Sequence, residues 1–335
     1  MPKRTNRAFL FGSWERDSVN RGITYVETVP TAAQRAGNFA GLVPIYDPST
    51  TVSLGGGKFA RTQFQNNQIP ANRISPAAAN LLAALPAATL PNQNINNYIA
   101  SPKSTDRGNR GDFRHDLQIS EADSLFARYS FSQRDLVTPG PFPAPIIGSS
   151  NFQIAPKSDL ANGAAIGETH IFSPSVVNEF RAGYNDIQDF LTPFVTENLN
   201  SQFGLGGIPV QSGITGLPKM AISGYAGLGE ATFLPNDKIS EVLTLQDHVS
   251  WTLGNHILNL GGEYRWVRSW FQISSSARGS YTFNGSFTQN PQKTAGTGSG
   301  VADFILGIPS SSSLSNQISG DLRYNYYGGF IQDGK

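Results

Sequence analysis

The chain has 335 residues, only 15% of them charged, with 25 Lys and Arg against 24 Asp and Glu for a net charge of +1. That length is enough for about one to three domains with a sizeable core. The near-neutral balance, with no basic run interleaved with aromatics, gives no electrostatic basis for a nucleic-acid partner. The absence of Cys excludes disulfides, thiolate catalysis and zinc-thiolate sites, and no window approaches the ~18 consecutive apolar residues of a transmembrane helix.

Charge this sparse, against roughly 25% in soluble domains, stands beside 35 Gly, 21 Phe, 11 Tyr and 4 Trp. It fits a β-rich protein with one face in lipid, and equally a Gly-rich extracellular sandwich. The start, MPKRTNRAFLFGSWE, has too short an apolar run for a secretory signal, so an envelope protein of this sequence is expected to have its leader upstream.

In chain order, Arg7 to Glu15 is a first strand, with Phe9 and Phe11 on one face and Leu10 and Trp14 on the other. Gly22 to Val29 extends it or forms another strand. From Pro30 to Arg110 the pattern dissolves into Pro, Asn, Gly and Thr, except that Ser75-Pro76 followed by AAANLLAAL reads as an N-cap, Pro at N1 and a short helix ended by Pro86. Alternation resumes at Asp112. Phe113, His115, Leu117 and Ile119 oppose Arg114, Asp116 and Gln118, and after a turn at Ser120 to Asp123 a return strand sets Leu125, Ala127, Tyr129 and Phe131 against Arg128, Ser130, Ser132 and Arg134.

A Pro-rich loop follows, then GAAIGETHIF, the turn Ser173-Pro174-Ser175, and a strand in which Val176, Phe180, Ala182 and Tyr184 oppose Glu179, Arg181 and Asn185. After a Gly/Pro loop to Asn236 come two strands meeting at Leu253-Gly254-Asn255. Leu258, Leu260, Tyr264, Trp266 and Trp270 share one parity of the second; Asn259, Glu263, Arg265 and Ser269 share the other. SYTFNGSFTQ gives a short strand and GVADFILG a helical turn. LRYNYYGGFIQDGK is the last strand, with Leu322, Tyr324, Tyr326 and Phe330 on one face.

These readings predict eight spanning strands, at about 7–15, 111–119, 124–134, 162–172, 176–186, 239–252, 256–271 and 322–333. Several exceed the roughly 9–11 residues that a tilted strand needs to cross a bilayer. Short connections near Ser120, Ser173 and Gly254 alternate with long ones at about 30–110, 135–160, 187–237 and 272–321. That alternation is the signature of an up-and-down barrel with short turns on one side and long external loops on the other. The fold class is therefore all-β, a partial antiparallel up-and-down transmembrane β-barrel. An immunoglobulin-like sandwich would place turns at intervals of about 8–12 residues without this asymmetry.

The chemical motifs are weak. His115, His170, His248 and His256 each read as isolated, with only Asp247-His248 hinting at a ligand pair, so no metal site is expected. Gly55-Gly56-Gly57-Lys58 lacks the G-x-x-x-x-G-K-[ST] frame of a phosphate loop, and GTGSG at 296–300 lacks a preceding strand and a clear following helix. No G-x-S-x-G elbow marks an activated serine, and Glu121 and Asp123 lie in a short turn where Asp is favoured for turn geometry. No catalytic residue, cofactor or enzymatic activity is expected. Glu179 and Arg181, and Glu263 and Arg265, lie two apart on their strands, so each pair points one way. With Asn259 they are the expected lumen-facing residues, able to bind a plug or water or to steer substrate. The plain alternative for each pair is a solvated ion pair worth under about 1 kcal/mol.

Several stretches carry a family likeness: FLFGSWE with TVPTAAQRAGNFA, IYDPST, IPANRISPAAANLL, SLFARYSFS, THIFSPSVVNEFRAGYN, ADFILGIP and YNYYGGFIQD, in that order along nearly the whole chain. Through them the sequence resembles the TonB-dependent outer-membrane receptors, in particular their Oar-like barrels. The resemblance implies a cell outer-membrane location and lipid as surroundings. In an intact family protein it also implies a plug domain and TonB as partners, with an N-terminal signal, a TonB box, the plug and often a carboxypeptidase-regulatory-like sandwich preceding the position of Arg7. The family barrel has about twenty-two strands, so these eight are expected to be a fragment that does not transport alone. The substrate is not legible. The competing expectation is an extracellular β-rich binding or adhesin-like surface protein that buries its aromatic faces between two sheets.

Overall fold

The computed structural model describes residues 7–148 and 153–334. The basic start at residues 1–6, and residues 149–152 of the second long loop, lie outside them. Eight long strands form one sheet: β1 (Ala8–Gly22), β2 (Lys103–Gln118), β3 (Asp123–Thr138), β4 (Ala155–Ser173), β5 (Val176–Leu191), β6 (Asn236–Leu253), β7 (His256–Ile273) and β8 (Ile318–Gly334). Each pairs antiparallel with its neighbours in sequence, and among the described residues the outer edges of β1 and β8 are unpaired, so the sheet is open. No described helix is long and apolar enough to cross a membrane.

All eight expected strands are present, and most are longer at the end that leads into a long loop. β1 continues to Gly22 because Trp14 to Gly22 finds partners along Lys103 to Gly111. This corrects the expected loop of 30–110: the segment between strands is 23–102, and the polar run Lys103 to Arg110 is strand. Local pattern had missed it, since both faces of a strand clear of lipid can be polar.

The pairing register sorts side chains into two faces. One carries Leu10 and Trp14 of β1, Phe113 and Leu117 of β2, Leu125 to Phe131 in alternation on β3, Ala164 and Ile166, Phe180 to Tyr184 in alternation, Leu243 and Leu245, Leu260, Tyr264 and Trp266, and Tyr327 and Ile331. On β3 this apolar run lies between Asp123 and Gln133. That stretch rises about 34 Å at 3.4 Å per residue, or about 25 Å when tilted as barrel strands are, the height of an outer-membrane apolar band. At the long-loop side the band ends in a charged row, Asp186, Glu241, Arg268 and Arg323, in register across four strands. Arg268 bridges Glu241 at 2.8 Å and Asp321 at 2.9 Å, and Tyr184 donates its hydroxyl to Glu241. Trp270 lies beyond that row, on the loop side.

The opposite face is polar and ion-paired. Arg110 meets Asp17, Arg128 meets Asp112, Arg134 meets Asp106, and Lys157 meets both Asp159 and Asp189, all within 2.9 Å. The four β8 residues expected to share a face do so. Leu322, Tyr324, Tyr326 and Phe330 belong to this polar face, because β8 pairs Tyr326 with Arg265 and Phe330 with Gly261. Strand alternation assigns residues to a face but not the face to a side; only register across to β7 does so. Phe330 lies over Gly261, where a Cβ would come within 2.3 Å of its ring, and Phe126 covers Gly167 in the same way.

The long loops are largely irregular in backbone, as expected, but they are not loosely packed. The core of the molecule is in them. Segments 23–102, 139–154, 192–235 and 274–317 contribute to one buried cluster, with Phe39, Ile45, Ile69 and Leu81 from the first, Ile146 from the second, Leu217 and Leu228 from the third, and Phe304 and Ile305 from the fourth. The expected helix is α1 (Pro76–Ala84), which buries Ala78, Leu81 and Leu82 and is followed by buried Leu85. Arg35, from a separate turn, donates to the carbonyls of Leu82, Leu85 and Pro86, closing the helix end that would otherwise leave those oxygens unpaired. The expected turn at GVADFILG is α2 (Gly300–Leu306), buried along nearly its whole length, with Gly307 left-handed at its end. So GTGSG does lead into a helix, a short packing helix. Gly55 to Lys58 is the tight turn of a small hairpin, all three glycines having positive φ.

The two faces of the sheet should differ sharply in tolerance. Ala164→Arg places a cation in the band between Tyr129 and Tyr184 and is expected to destabilise the protein folded into bilayers by about 2–4 kcal/mol. Gln246→Arg on the polar face, opposite Glu263, should change it by less than about 1 kcal/mol. Urea titration in lipid vesicles, read as heat-modifiable mobility on gels, checks both.

Candidate functional site

The five lumen-face residues read from sequence do share one face. β6 lies between β5 and β7, and the register sets Arg181, Gln246 and Glu263 in one row, Glu179 and His248 with Gly261 in the next, and Ser250 with Asn259 in the one after. Arg181 bonds Glu179 two residues away, and Arg265 bonds Glu263 at 2.5 Å. Gln246 Nε2 donates to Glu263 Oε2 at 3.1 Å, joining the strands. The Arg265 guanidinium lies 5.8 Å from the Tyr326 ring centre, and His248 stacks on Phe330 at 6.0 Å and 30°.

Together they form a cleft of about 410 Å³ lined by Glu179, Arg181, Gln246, His248, Glu263, Tyr326 and Phe330 along with backbone. Arg265 and Asn259 do not line it. The aromatic wall from β8 is the part that sequence reasoning missed. With both acids already paired to arginines, the cleft offers hydrogen-bonding edges and two aromatic surfaces rather than a free charge. It holds no activated nucleophile beside a base.

A second cluster lies on the apolar face at the short-turn end. Asp123 opens β3 directly across from His170 on β4, and Asp123 Oδ1 is 2.5 Å from His170 Nδ1. Glu168 is two residues before His170 on the same face, and all three offer ligand atoms within 4.8 Å of one another. The Ser120 hydroxyl donates to Asp123, and Phe172 stands edge-on to the imidazole at 4.3 Å. The reading of His170 as isolated is therefore corrected. Its signal was present in the sequence as Glu168-Thr169-His170, an i, i+2 pair, while Asp123 arrives only through strand pairing. His256 likewise finds a distant acid, Asp333, at 2.8 Å.

The loop lobe holds the deeply buried charges. Glu230 and Arg278, 1% and 3% exposed, approach to 3.5 Å. Glu230 accepts from the backbone N–H of Phe194 at 2.7 Å and of Val195, while Arg278 donates to the carbonyls of Leu234 and Ala231. Burial pushes the Glu230 carboxyl above its ordinary range, against the pull of Arg278, and pushes the Arg278 guanidinium down. Gly216 is required beside them: its φ is +79°, and a Cβ would come within 2.5 Å of Glu230 Oε1. Asp303 on α2 is also raised by burial, with Thr288 Oγ1 and the N–H groups of Phe287 and Thr288 bonded to it. Nearer the surface, burial acts to raise Asp47, but its forked bonds from Arg73 at 3.0 Å and those from Ser49 carry it below the usual carboxylate value.

Arg278→Met strands the Glu230 charge and is expected to cost the lobe about 3–5 kcal/mol. Adding Glu230→Gln should recover part of that loss, as read by hydrogen exchange across residues 192–235. For Asp47 the folded value is depressed, so its contribution is present above the unfolded pKa of about 3.9 and is lost as pH falls through the folded value. The stability gap between the natural protein and Asp47→Asn should therefore narrow below about pH 4, measured by calorimetry in detergent.

Comparison with protein families matches the sequence at residues 2–334 to the one described as "Outer membrane beta barrel domain". Comparison with curated proteins gives no match. Among solved structures, the chain is similar to the outer membrane transporter YddB from Escherichia coli, with 12% identity and a TM-score of 0.42. The likeness covers 99% of this chain, which spans 37% of that transporter.

Proposed function

This chain belongs to the outer membrane β-barrel domain family, and we propose that it is the part of a TonB-dependent, Oar-like receptor that carries a folded external lobe. Its place is the outer membrane, with the apolar band in lipid and, by the general orientation of such barrels, the short turns in the periplasm and the lobe outside. The observation that carries the transport reading is the polar face of the sheet. It is charged on nearly every strand, locally neutralised, and presents the cleft at Glu179, Arg181, Gln246 and Glu263. A lining of that kind suits a water-filled lumen that contacts a plug and passes a polar solute. The resemblance carried by THIFSPSVVNEFRAGYN and YNYYGGFIQD points to energised nutrient uptake with TonB and a plug as partners. The reading includes no reaction chemistry and no cofactor.

An open sheet exposes edge amides that lipid cannot satisfy, so transport on this reading requires a closed barrel. The adhesin-like alternative would bury Tyr129, Tyr184 and Trp266 against a second sheet. The described residues form a single large sheet, and its apolar face runs across all eight strands, which favours the membrane reading.

In vivo photo-crosslinking tests the proposal on the protein as its gene encodes it. Outer-membrane vesicles carrying it are expected to yield an adduct with the periplasmic domain of TonB, and growth on its nutrient should stop when the proton-motive force is collapsed. An abundant outer-membrane protein with no TonB adduct, whose loss abolishes only surface attachment, would overturn the transport reading in favour of adhesion.

A further inference from the structure

We propose that Asp123, Glu168 and His170 form a divalent transition-metal site, of the kind that takes Zn²⁺, on the outward rim of the sheet at the short-turn end. The two strands that build it belong to different hairpins, β2–β3 and β4–β5, so an ion there would tie the hairpins together.

Three observations converge on it. The first is placement: Asp123 and His170 are direct cross-strand partners, and Glu168 precedes His170 by two residues, so all three side chains leave the sheet on one face. Their ligand atoms already lie within 4.8 Å of one another. One imidazole and two carboxylates are a donor set suited to zinc and its neighbours, leaving a coordination position for water.

The second is support around the donors. Ser120 donates its hydroxyl to Asp123 Oδ2 and also accepts from the backbone N–H groups of Ala122 and Asp123, fixing the carboxylate from the turn. Phe172 stands edge-on against the imidazole. Outer contacts of this sort orient metal ligands and set their affinity.

The third is electrostatic. On this face, the row of His170 and the next row toward the membrane contain Asn178, Phe180, Asp247, Leu260 and Gly262, and among the described residues no Lys or Arg. Elsewhere on the sheet several acids are matched by arginine or lysine: Asp112 by Arg128, Asp106 by Arg134, Asp189 by Lys157 and Glu241 by Arg268. Asp123 instead has an imidazole beside it, and among the described residues no arginine or lysine pairs with Asp123 or Glu168. An ion would insert between Asp123 and His170, widening their 2.5 Å contact to the ~3.3 Å spacing that follows from metal–ligand bonds of about 2.0–2.2 Å.

The test is titration of the refolded full chain in detergent with Zn²⁺ by calorimetry, and with Co²⁺ by visible absorption. One equivalent of metal is expected, with a Co²⁺ band that reports nitrogen and oxygen ligation. His170→Ala and the pair Asp123→Asn with Glu168→Gln should each weaken binding at least about 10-fold and abolish the band. His256→Ala, beside Asp333, should leave both unchanged. Heat-modifiable mobility verifies folding of each variant, and if His170→Ala does not fold, His170→Gln with the carboxylate pair decides. Binding that survives loss of His170, or that is lost with His256, overturns the assignment, as does absence of stoichiometric binding to the natural sequence.

Discussion

A backbone amide in a bilayer has no water to bond, so every strand that crosses must be paired along its length. The eight-stranded ladder meets that requirement with antiparallel neighbours and short turns, and it dictates most of what else the molecule can do. A sheet with lipid on one side and water on the other has no second layer to pack against. Its side chains are consequently sorted by solvent rather than by contact, apolar from Leu125 to Phe131 on one face of β3 and polar from Arg128 to Arg134 on the other.

Displacing the core from the sheet leaves it to the connections. Four segments that cannot enter lipid meet at the long-loop end and bury Phe39, Leu81, Leu217 and Phe304 together. Joined, they resemble a small domain carried on the strands that feed it. The lobe therefore depends on the ladder, because strand register fixes the distance between the segments. Its irregular backbone needs partners for exposed carbonyls, and Arg35 and Arg61 supply them, the latter bonding the carbonyls of Ser286, Phe287 and Gln289 from more than two hundred residues away.

This division explains what was legible in the sequence. Alternation with period two reports the two solvents directly, so all eight strands and the three short turns could be read, as could the i, i+2 pairs at Glu179 and Glu263. Alternation fades where a strand leaves lipid, so the polar half of β2 from Lys103 was read as loop. Period two also cannot say which face a strand with aromatics on both sides turns outward, and only pairing to Arg265 and Gly261 assigns a side to Tyr326 and Phe330. The lobe was illegible for a different reason. Its core residues come singly, spaced by glycine and proline, and only short elements such as α1, with its N-cap serine and leucine spacing, and α2 left a local trace. Long-range partners such as Asp123 with His170 carry no local signal at all.

Magnitudes separate the two sets of charges. On the polar face, Arg110, Arg128 and Arg134 are each about half exposed, and such pairs contribute between about 0 and 1 kcal/mol. Stability gives little reason to keep so many of them. What they do is keep one face of the sheet polar while cancelling its charge locally, so that the face presents hydrogen-bonding groups without an uncompensated charge. In the lobe the balance reverses. Glu230 and Arg278 are sealed from water, and removing either one leaves the other buried without its counter-ion, at about 3–5 kcal/mol. That pair ties the third segment to the fourth by contacts with Phe194, Val195 and Leu234. Specific geometry in this protein is thus enforced by a few buried charges above the membrane, and permissive chemistry by many exposed ones within the sheet.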